Sequence, residues 1–123
     1  MFWLILAIVL AVIVVISYVF PVIEVCGYSM NPTFNNGDII LGCRLYSLKK
    51  KSVYVFHPPM GEKYVIKRLT QISSTTGKLF FEGDNPDHSY DSRMYGYVSR
   101  DKVVAQYILT IYRRKECSDN DNK

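Results

Sequence analysis

A small all-β domain of short strands behind one N-terminal membrane-crossing helix is the architecture this sequence predicts, and three observations carry it. From Met1 to Ile23 there is no charged side chain, the first being Glu24. Beyond Pro21 the apolar residues fall into short strand-like runs separated by clusters of Gly, Pro, Asn, Asp and Ser. No helical period follows Pro21, so the rest of the chain reads as one β domain without internal repeats. At 123 residues there is room for about one domain and a small appendage. The expected division is residues 1–21 as the anchor, 22–115 as the β domain and 116–123 as a polar, disordered tail.

Phe2 to Phe20 is built almost wholly from Leu, Ile, Val, Ala and aromatic residues. About 20 such residues span about 30 Å as a helix, the thickness of a hydrocarbon core. Phe2 and Trp3 at one end, and Tyr18 and Phe20 at the other, suit the two interfaces. Pro21 stops the helix. A cleaved secretory signal competes with this reading but fits less well: the run is long, no basic segment precedes it, and Ser17-Tyr18-Val19-Phe20 offers no small-x-small cleavage site. The run is therefore read as a retained anchor, with no Lys or Arg on its short N-terminal side to orient it.

Val22–Cys26 is the first expected strand and leads into Gly27-Tyr28-Ser29-Met30-Asn31-Pro32-Thr33. Pro32 biases Asn31 towards extended geometry and removes a ladder donor. Gly27 removes side-chain bulk two residues before Ser29. Asn35-Asn36-Gly37-Asp38 marks a turn, and Ile39–Cys43 the second strand. Lys49-Lys50-Lys51 reads as a loop, Ser52–Phe56 as the third strand, and His57-Pro58-Pro59-Met60-Gly61 as a break. Lys63–Ile72 is the longest strand candidate, joined through Ser73–Gly77 in a hairpin to Lys78–Phe81. Gly83 to Gly96 is polar and irregular, and Lys102–Tyr112 closes the domain.

The net charge of +4 is mild, with dense basic clusters at Lys49–Lys51 and Arg113–Lys115. Without aromatic residues interleaved among basic ones, nucleic acid is not an expected partner; a membrane surface or plain solvated loop ends explain both clusters. Cys26, Cys43 and Cys117 lack CxxC spacing and are odd in number. Cys26 and Cys43 pair only if their strands place them side by side, which the sequence leaves open. His57 and His88 lack ligand spacing, so neither a metal nor a cofactor is expected. His57 reads as a loop residue without a role.

Ser29, between a strand end and a proline-fixed bend, is either a turn serine satisfying its own backbone or an exposed nucleophile that needs a base. Lys67 shares a strand face with Val65 and Leu69, while Ile66 and Arg68 point the other way. A lysine desolvated on an apolar face loses basicity and, neutral, accepts a hydroxyl proton. The alternative is an edge lysine that guards against aggregation. Between Gly83 and Gly96 the chain packs hydroxyls, carboxylates and an arginine; Ser89 is placed to orient an amine, and Asp91 and Arg93 to form a local ion pair.

These elements resemble the type I signal peptidases, membrane-bound Ser/Lys endopeptidases that remove signal peptides. The form G-x-S-M-x-P-T is met at Gly27–Thr33 and followed by Gly37-Asp38. K-R plus an apolar residue is met at Lys67-Arg68-Leu69, and G-D-N-x-x-x-S-x-D-S-R-x-x-G at Gly83–Gly96. The resemblance covers roughly residues 20–104. It implies Ser29 as nucleophile, Lys67 as general base and Ser89 as the hydroxyl that orients the lysine. It also implies a structural ion pair of Asp91 and Arg93, with Asp84 or Asp91 engaging Arg68. The Ser29 N–H would serve the oxyanion, but Gly27 stands where some members carry a further hydroxyl donor. Val25, Met30 and Val65 are expected to line substrate pockets.

The lysine, where relatives in the endoplasmic reticulum have histidine, points to the bacterial or organellar branch. The usual I-G-L-P-G-D is replaced by Thr70–Thr75, and the segment from Lys67 to Gly83 is short, as in a minimal catalytic core. The implied function is cleavage of precursors after small residues through an acyl-enzyme. The implied partners are signal peptides and the lipid bilayer, with translocation machinery as a further candidate, and the implied location is the extracytoplasmic face of a single-pass cell-membrane protein. Competing expectations are a maturation peptidase dedicated to one substrate, such as a conjugation pilin, and an inactive membrane-anchored peptide-binding β domain. The soluble self-cleaving repressors share the Ser/Lys arrangement, but the anchor argues against them.

Overall fold

The computed structural model describes residues 1–61 and 63–115. The expected polar tail 116–123, and Cys117 with it, lies outside the described residues. The apolar run forms helix α1, Phe2–Val19, which has no buried residue and is long and apolar enough to cross a bilayer. Its polar interruption is satisfied internally, because the Ser17 hydroxyl donates to the Ile13 carbonyl at 2.8 Å. The last carbonyls of a helix lack intrahelical partners, and Arg44 supplies two of them. Its backbone N–H donates to the Val19 carbonyl and its Nε to the Tyr18 carbonyl, each at 2.8 Å. The guanidinium also lies 4.8 Å over the Tyr18 ring. The base of the helix is thereby tied to the sheet.

The all-β expectation for the rest of the chain holds. The strands are β1 (Val22–Glu24), β2 (Ile39–Cys43), β3 (Val53–Phe56), β4 (Val65–Ile72), β5 (Leu79–Glu82) and β6 (Val103–Tyr112). They make one six-stranded sheet in the order β1-β2-β6-β3-β4-β5, each neighbouring pair antiparallel. Four antiparallel steps separate β1 from β4, so these two strands run in the same direction. Within β3, alternate side chains serve two cores. Val53 and Val55 join Val25, Met30, Phe34, Ile40 and Ile66, while Tyr54 and Phe56 join Leu69, Leu79, Phe81, Val98 and Val103. This two-sided burial explains a strand that is apolar at every position.

One difference from the sequence expectation and one point that the sequence left open are decided here. The stretch 83–96 is more ordered than its composition suggests: a 3₁₀ turn spans Pro86–His88, and a short helix α2 spans Ser92–Tyr95. Asp91 starts α2 as its N-cap, accepting from the Arg93 N–H, and Gly96 at φ +84 ends it. Cys26 and Cys43 are free thiols. Antiparallel pairing of Glu24 with Ile39 sends Cys26 to the end of the β1–β2 ladder opposite Cys43.

Candidate active site

The loop after β1 is fastened at both sides of Ser29. Val25 and Met30 are buried in the first core. Gly27, at φ +96, takes a backbone conformation that favours glycine, and its N–H donates to Asn36 Oδ1 at 2.8 Å. Asp38, fully buried, accepts from the N–H groups of Asn35 and Arg114, both at 2.8 Å, and so holds the following turn against the end of β6.

Lys67 arrives from β4, opposite Tyr54 of β3, and is only 5% exposed. Its Nζ and the Ser29 Oγ are 2.7 Å apart. Desolvation lowers the Lys67 pKa from the ordinary lysine value, and the nearby Asp91 carboxylate offsets part of that shift. As a free amine, the same 2.7 Å contact lets the Ser29 hydroxyl donate to nitrogen. A serine so placed can become a nucleophile.

The third polar stretch forms the back wall of this pair. Asn85 donates from its N–H to the Ser29 carbonyl at 2.8 Å and from its amide to the Tyr28 carbonyl at 3.0 Å. Arg68 grips Asp84 with both ends of its fork, Nε to Oδ1 at 2.9 Å and Nη2 to Oδ2 at 2.7 Å. The hydrogen bond from Arg68 leads in holding the Asp84 carboxyl below its usual range, against the effect of burial. The Thr33 hydroxyl donates to the same carboxylate. Of the two partners expected for Arg68, Asp84 is the one it meets.

Asp91 has no exposed surface and accepts from five donors. They are the Gly83 N–H at 2.8 Å, the Ser89 hydroxyl at 2.6 Å, and the Arg93 N–H, Nε and Nη2 at 3.1, 3.0 and 2.6 Å. Burial alone would raise this carboxyl, but the hydrogen bonds from Arg93, Gly83 and Ser89 outweigh it and hold it well below the carboxylate range. Ser89 gives its proton to Asp91 and forms no hydrogen bond to Lys67 among the described contacts. Its oxygen keeps lone pairs for an ammonium donor.

Gly83 is the tightest point of the assembly. A Cβ there would meet the Ser89 Oγ, and the Ser29 carbonyl oxygen at 2.6 Å. Gly83→Ala is therefore expected to cost about 1–3 kcal/mol through overpacking, seen as a melting temperature lower by several degrees. An unchanged melting curve would show that the loop yields freely.

Ser29 and Lys67 lie at one end of a cleft of about 490 Å³. One wall is Ile23–Cys26; the other is Lys63–Lys67, with Met30 and His57 also lining it. The expected pocket residues Val25, Met30 and Val65 all line this space. Both walls are free strand edges. Val25 uses its backbone towards the turn before β2, exchanging bonds with Asp38 and Gly37, so Glu24 and Cys26 face outward. Leu69 uses its backbone towards Ser52 and Lys51, so the alternation turns Tyr64 and Ile66 outward, before the β4–β5 ladder begins at Arg68.

A sequence model of the family described as "Signal peptidase, peptidase S26" matches residues 1–73 and 70–112. The chain belongs to this family. Two curated relatives agree at low identity. "Probable signal peptidase I-1" of Synechocystis sp. (strain ATCC 27184 / PCC 6803 / Kazusa) is 22% identical over 94 residues, covering 73% of this chain and 48% of that protein. "Mitochondrial inner membrane protease subunit 1" of Mus musculus is 28% identical over 119 residues, covering 78% of this chain and 72% of that protein. The chain thus spans about half the length of the cyanobacterial relative.

For this signal peptidase family member, sequence reasoning gave no role to Thr33, Asn85, His57 or Lys63. Thr33 and Asn85 stand inside the quoted motifs, a signal that could have found them. His57 and Lys63 carry no such signal, since their place in the cleft comes from the turn between β3 and β4.

Proposed function

We propose that the chain is a membrane-anchored serine endopeptidase that cleaves signal peptides from precursor proteins after small residues. The observation that carries this reading is the 2.7 Å contact between Ser29 Oγ and the buried Lys67 Nζ in the cleft between two free strand edges. An extended segment entering the cleft pairs with the outward backbone groups of Glu24 and Cys26 on one side and of Tyr64 and Ile66 on the other, adding a strand. Val25, Met30 and Val65 leave shallow room for small side chains at the first and third positions before the cut.

Neutral Lys67 takes the Ser29 proton as Oγ attacks the scissile carbonyl, and the Ser29 N–H steadies the oxyanion. Lys67 then returns the proton to the leaving amine as the C–N bond breaks. Water, deprotonated by the same amine, attacks the ester, and Ser29 is regenerated. Ser89, with its proton committed to Asp91, accepts from the lysine and orients it. In this reading residues 1–21 anchor the chain as a single span in the cell membrane, and 22–115 form the catalytic domain on the extracytoplasmic face. Signal peptides, the bilayer and the translocation machinery are its partners.

A serine-acylating inhibitor tests this. It is expected to label Ser29 at a rate that rises with pH, with a midpoint below the ordinary lysine value of 10.5, because only the deprotonated amine activates the hydroxyl. Labelling at another residue, or a rate indifferent to pH, would count against the dyad and favour a peptide-binding domain. A narrower reading, one dedicated substrate, draws on the short Ser73–Gly77 connection between β4 and β5, which leaves no space for an inserted second domain. Profiling accumulated precursors after depletion distinguishes the two: many species for general processing, one for a dedicated enzyme.

A further inference from the structure

His57 and Tyr64 form a ring pair at the end of the cleft away from Ser29, and nothing in the reaction above uses it. The β3–β4 ladder ends with Phe56 opposite Val65, so His57 and Tyr64 are the next residues across the two strands. Their ring centroids lie 4.5 Å apart with the planes tilted by 44°. The His57 backbone N–H donates to the Lys102 carbonyl at 2.9 Å and Pro58-Pro59 follow it, so the backbone that carries the imidazole is held in place. Tyr64 is 56% exposed and stands on the free edge of β4, with ring surface open to the cleft.

We infer that this pair is a subsite for an aromatic side chain of the bound peptide, about four residues before the scissile bond; the inference rests on the peptidase reading above. Tyr64 precedes Lys67 by three residues, about 10 Å along an extended strand. Both β1 and β4 run towards the Ser29–Lys67 pair, so a peptide lying parallel to them with its scissile carbonyl at Ser29 extends back over Val25 and Ile66 to this point. Ile23 lines the cleft from the opposite wall. An aromatic ring placed there meets the Tyr64 ring edge-to-face or offset and removes apolar surface from water. Lys63 lines the same end and disfavours a cationic side chain, whereas Glu24 on the facing wall favours one; the aromatic occupant is the one matched by the ring pair itself.

The test uses the full chain in detergent micelles, carrying Ser29→Ala so that bound peptide is not turned over. Fluorescent alanine-rich peptides with Phe placed in turn at the second to sixth positions before the cut are titrated by anisotropy. Affinity is expected to peak at one position, about fivefold above the peptide with Ala there. The preference should collapse with Tyr64→Ala and persist with Tyr64→Phe. A Phe preference that survives Tyr64→Ala, an absence of any positional peak, a failure of every peptide to bind, or an Arg peptide binding better than Phe would each overturn the subsite. Turnover of the same peptides by the unsubstituted chain is read separately. Binding with the expected peak but no cleavage would sink the peptidase reading and leave the subsite standing. Cleavage without the peak would do the reverse.

Discussion

Lys67→Ala is expected to lower the rate of precursor cleavage by about 10³-fold while the protein stays folded. Among the described residues, the amine is the group within hydrogen-bonding distance of the Ser29 hydroxyl that can take its proton, the two lying 2.7 Å apart. Removing it leaves a serine with its ordinary, weak nucleophilicity. Folding survives because a desolvated ammonium contributes little to stability and Tyr54, Leu69 and Ile66 keep their own packing. Ser29→Ala should cost about as much, and the double variant no more than either alone, since the two groups act as one unit. Single-turnover assays on a purified precursor, with circular dichroism to verify the fold, give the comparison. Near-normal turnover by Lys67→Ala would remove the lysine from the mechanism.

The second large effect is structural. Asp91→Ala is expected to destabilise the domain by about 3–5 kcal/mol, because it leaves the Arg93 guanidinium, the Gly83 N–H and the Ser89 hydroxyl without their acceptor in a closed site. Arg93 retains Glu82 at 3.6 Å, and its own partial exposure moderates the loss. The wall behind Ser29 loosens with it, so activity should fall even at temperatures where the protein remains folded. A denaturant midpoint equal to that of the unsubstituted chain would show that the network is ornamental.

The same carboxylate gives stability a pH dependence of definite sign. Its folded pKa lies below the unfolded value of about 3.9, so the unfolded chain binds the extra proton as acid is added. The stabilisation from Asp91 is full above pH about 4 and is lost as pH falls from there towards the folded pKa. In the proposed mechanism Lys67 governs activity at the other end of the scale, where a lowered amine pKa brings the reactive form to lower pH than an ordinary lysine allows. Acid unfolding measured for Asp91→Ala beside the unsubstituted chain separates the two effects, because of these two groups Asp91 alone titrates in acid and the Asp84 contribution is common to both proteins.

Much of the molecule was legible in the residue order, and for local reasons. Helix α1 follows from an uncharged apolar run long enough to span a bilayer, and Pro21 marks its end. Strand β2 was read with its observed bounds because a turn cluster precedes it and its apolar residues are contiguous, and the β4–β5 hairpin followed from Ser73–Gly77. Strand β1 ends at Glu24, two residues short of the Cys26 that the pattern predicts, because Val25 keeps its apolar character while its backbone turns to the loop at Asp38. Helix α2 leaves no periodic signal in the sequence, since four residues are too few for a period to show.

The sequence by itself determined which residue types were available for the chemistry: a serine at a strand end, a lysine among apolar residues, and a carboxylate–arginine pair two residues apart. The tertiary structure alone decided who meets whom. It gave Arg68 to Asp84 rather than Asp91, turned the Ser89 hydroxyl towards Asp91, and set Asn85 on the carbonyls of Tyr28 and Ser29. It also aligned β1 with β4 across four intervening pairings, opening the cleft and bringing His57 to Tyr64. The reason is physical: turns and strand runs are local preferences of a few neighbouring residues, whereas a partner dozens of residues away is chosen by ladder register and by which donors burial leaves unsatisfied.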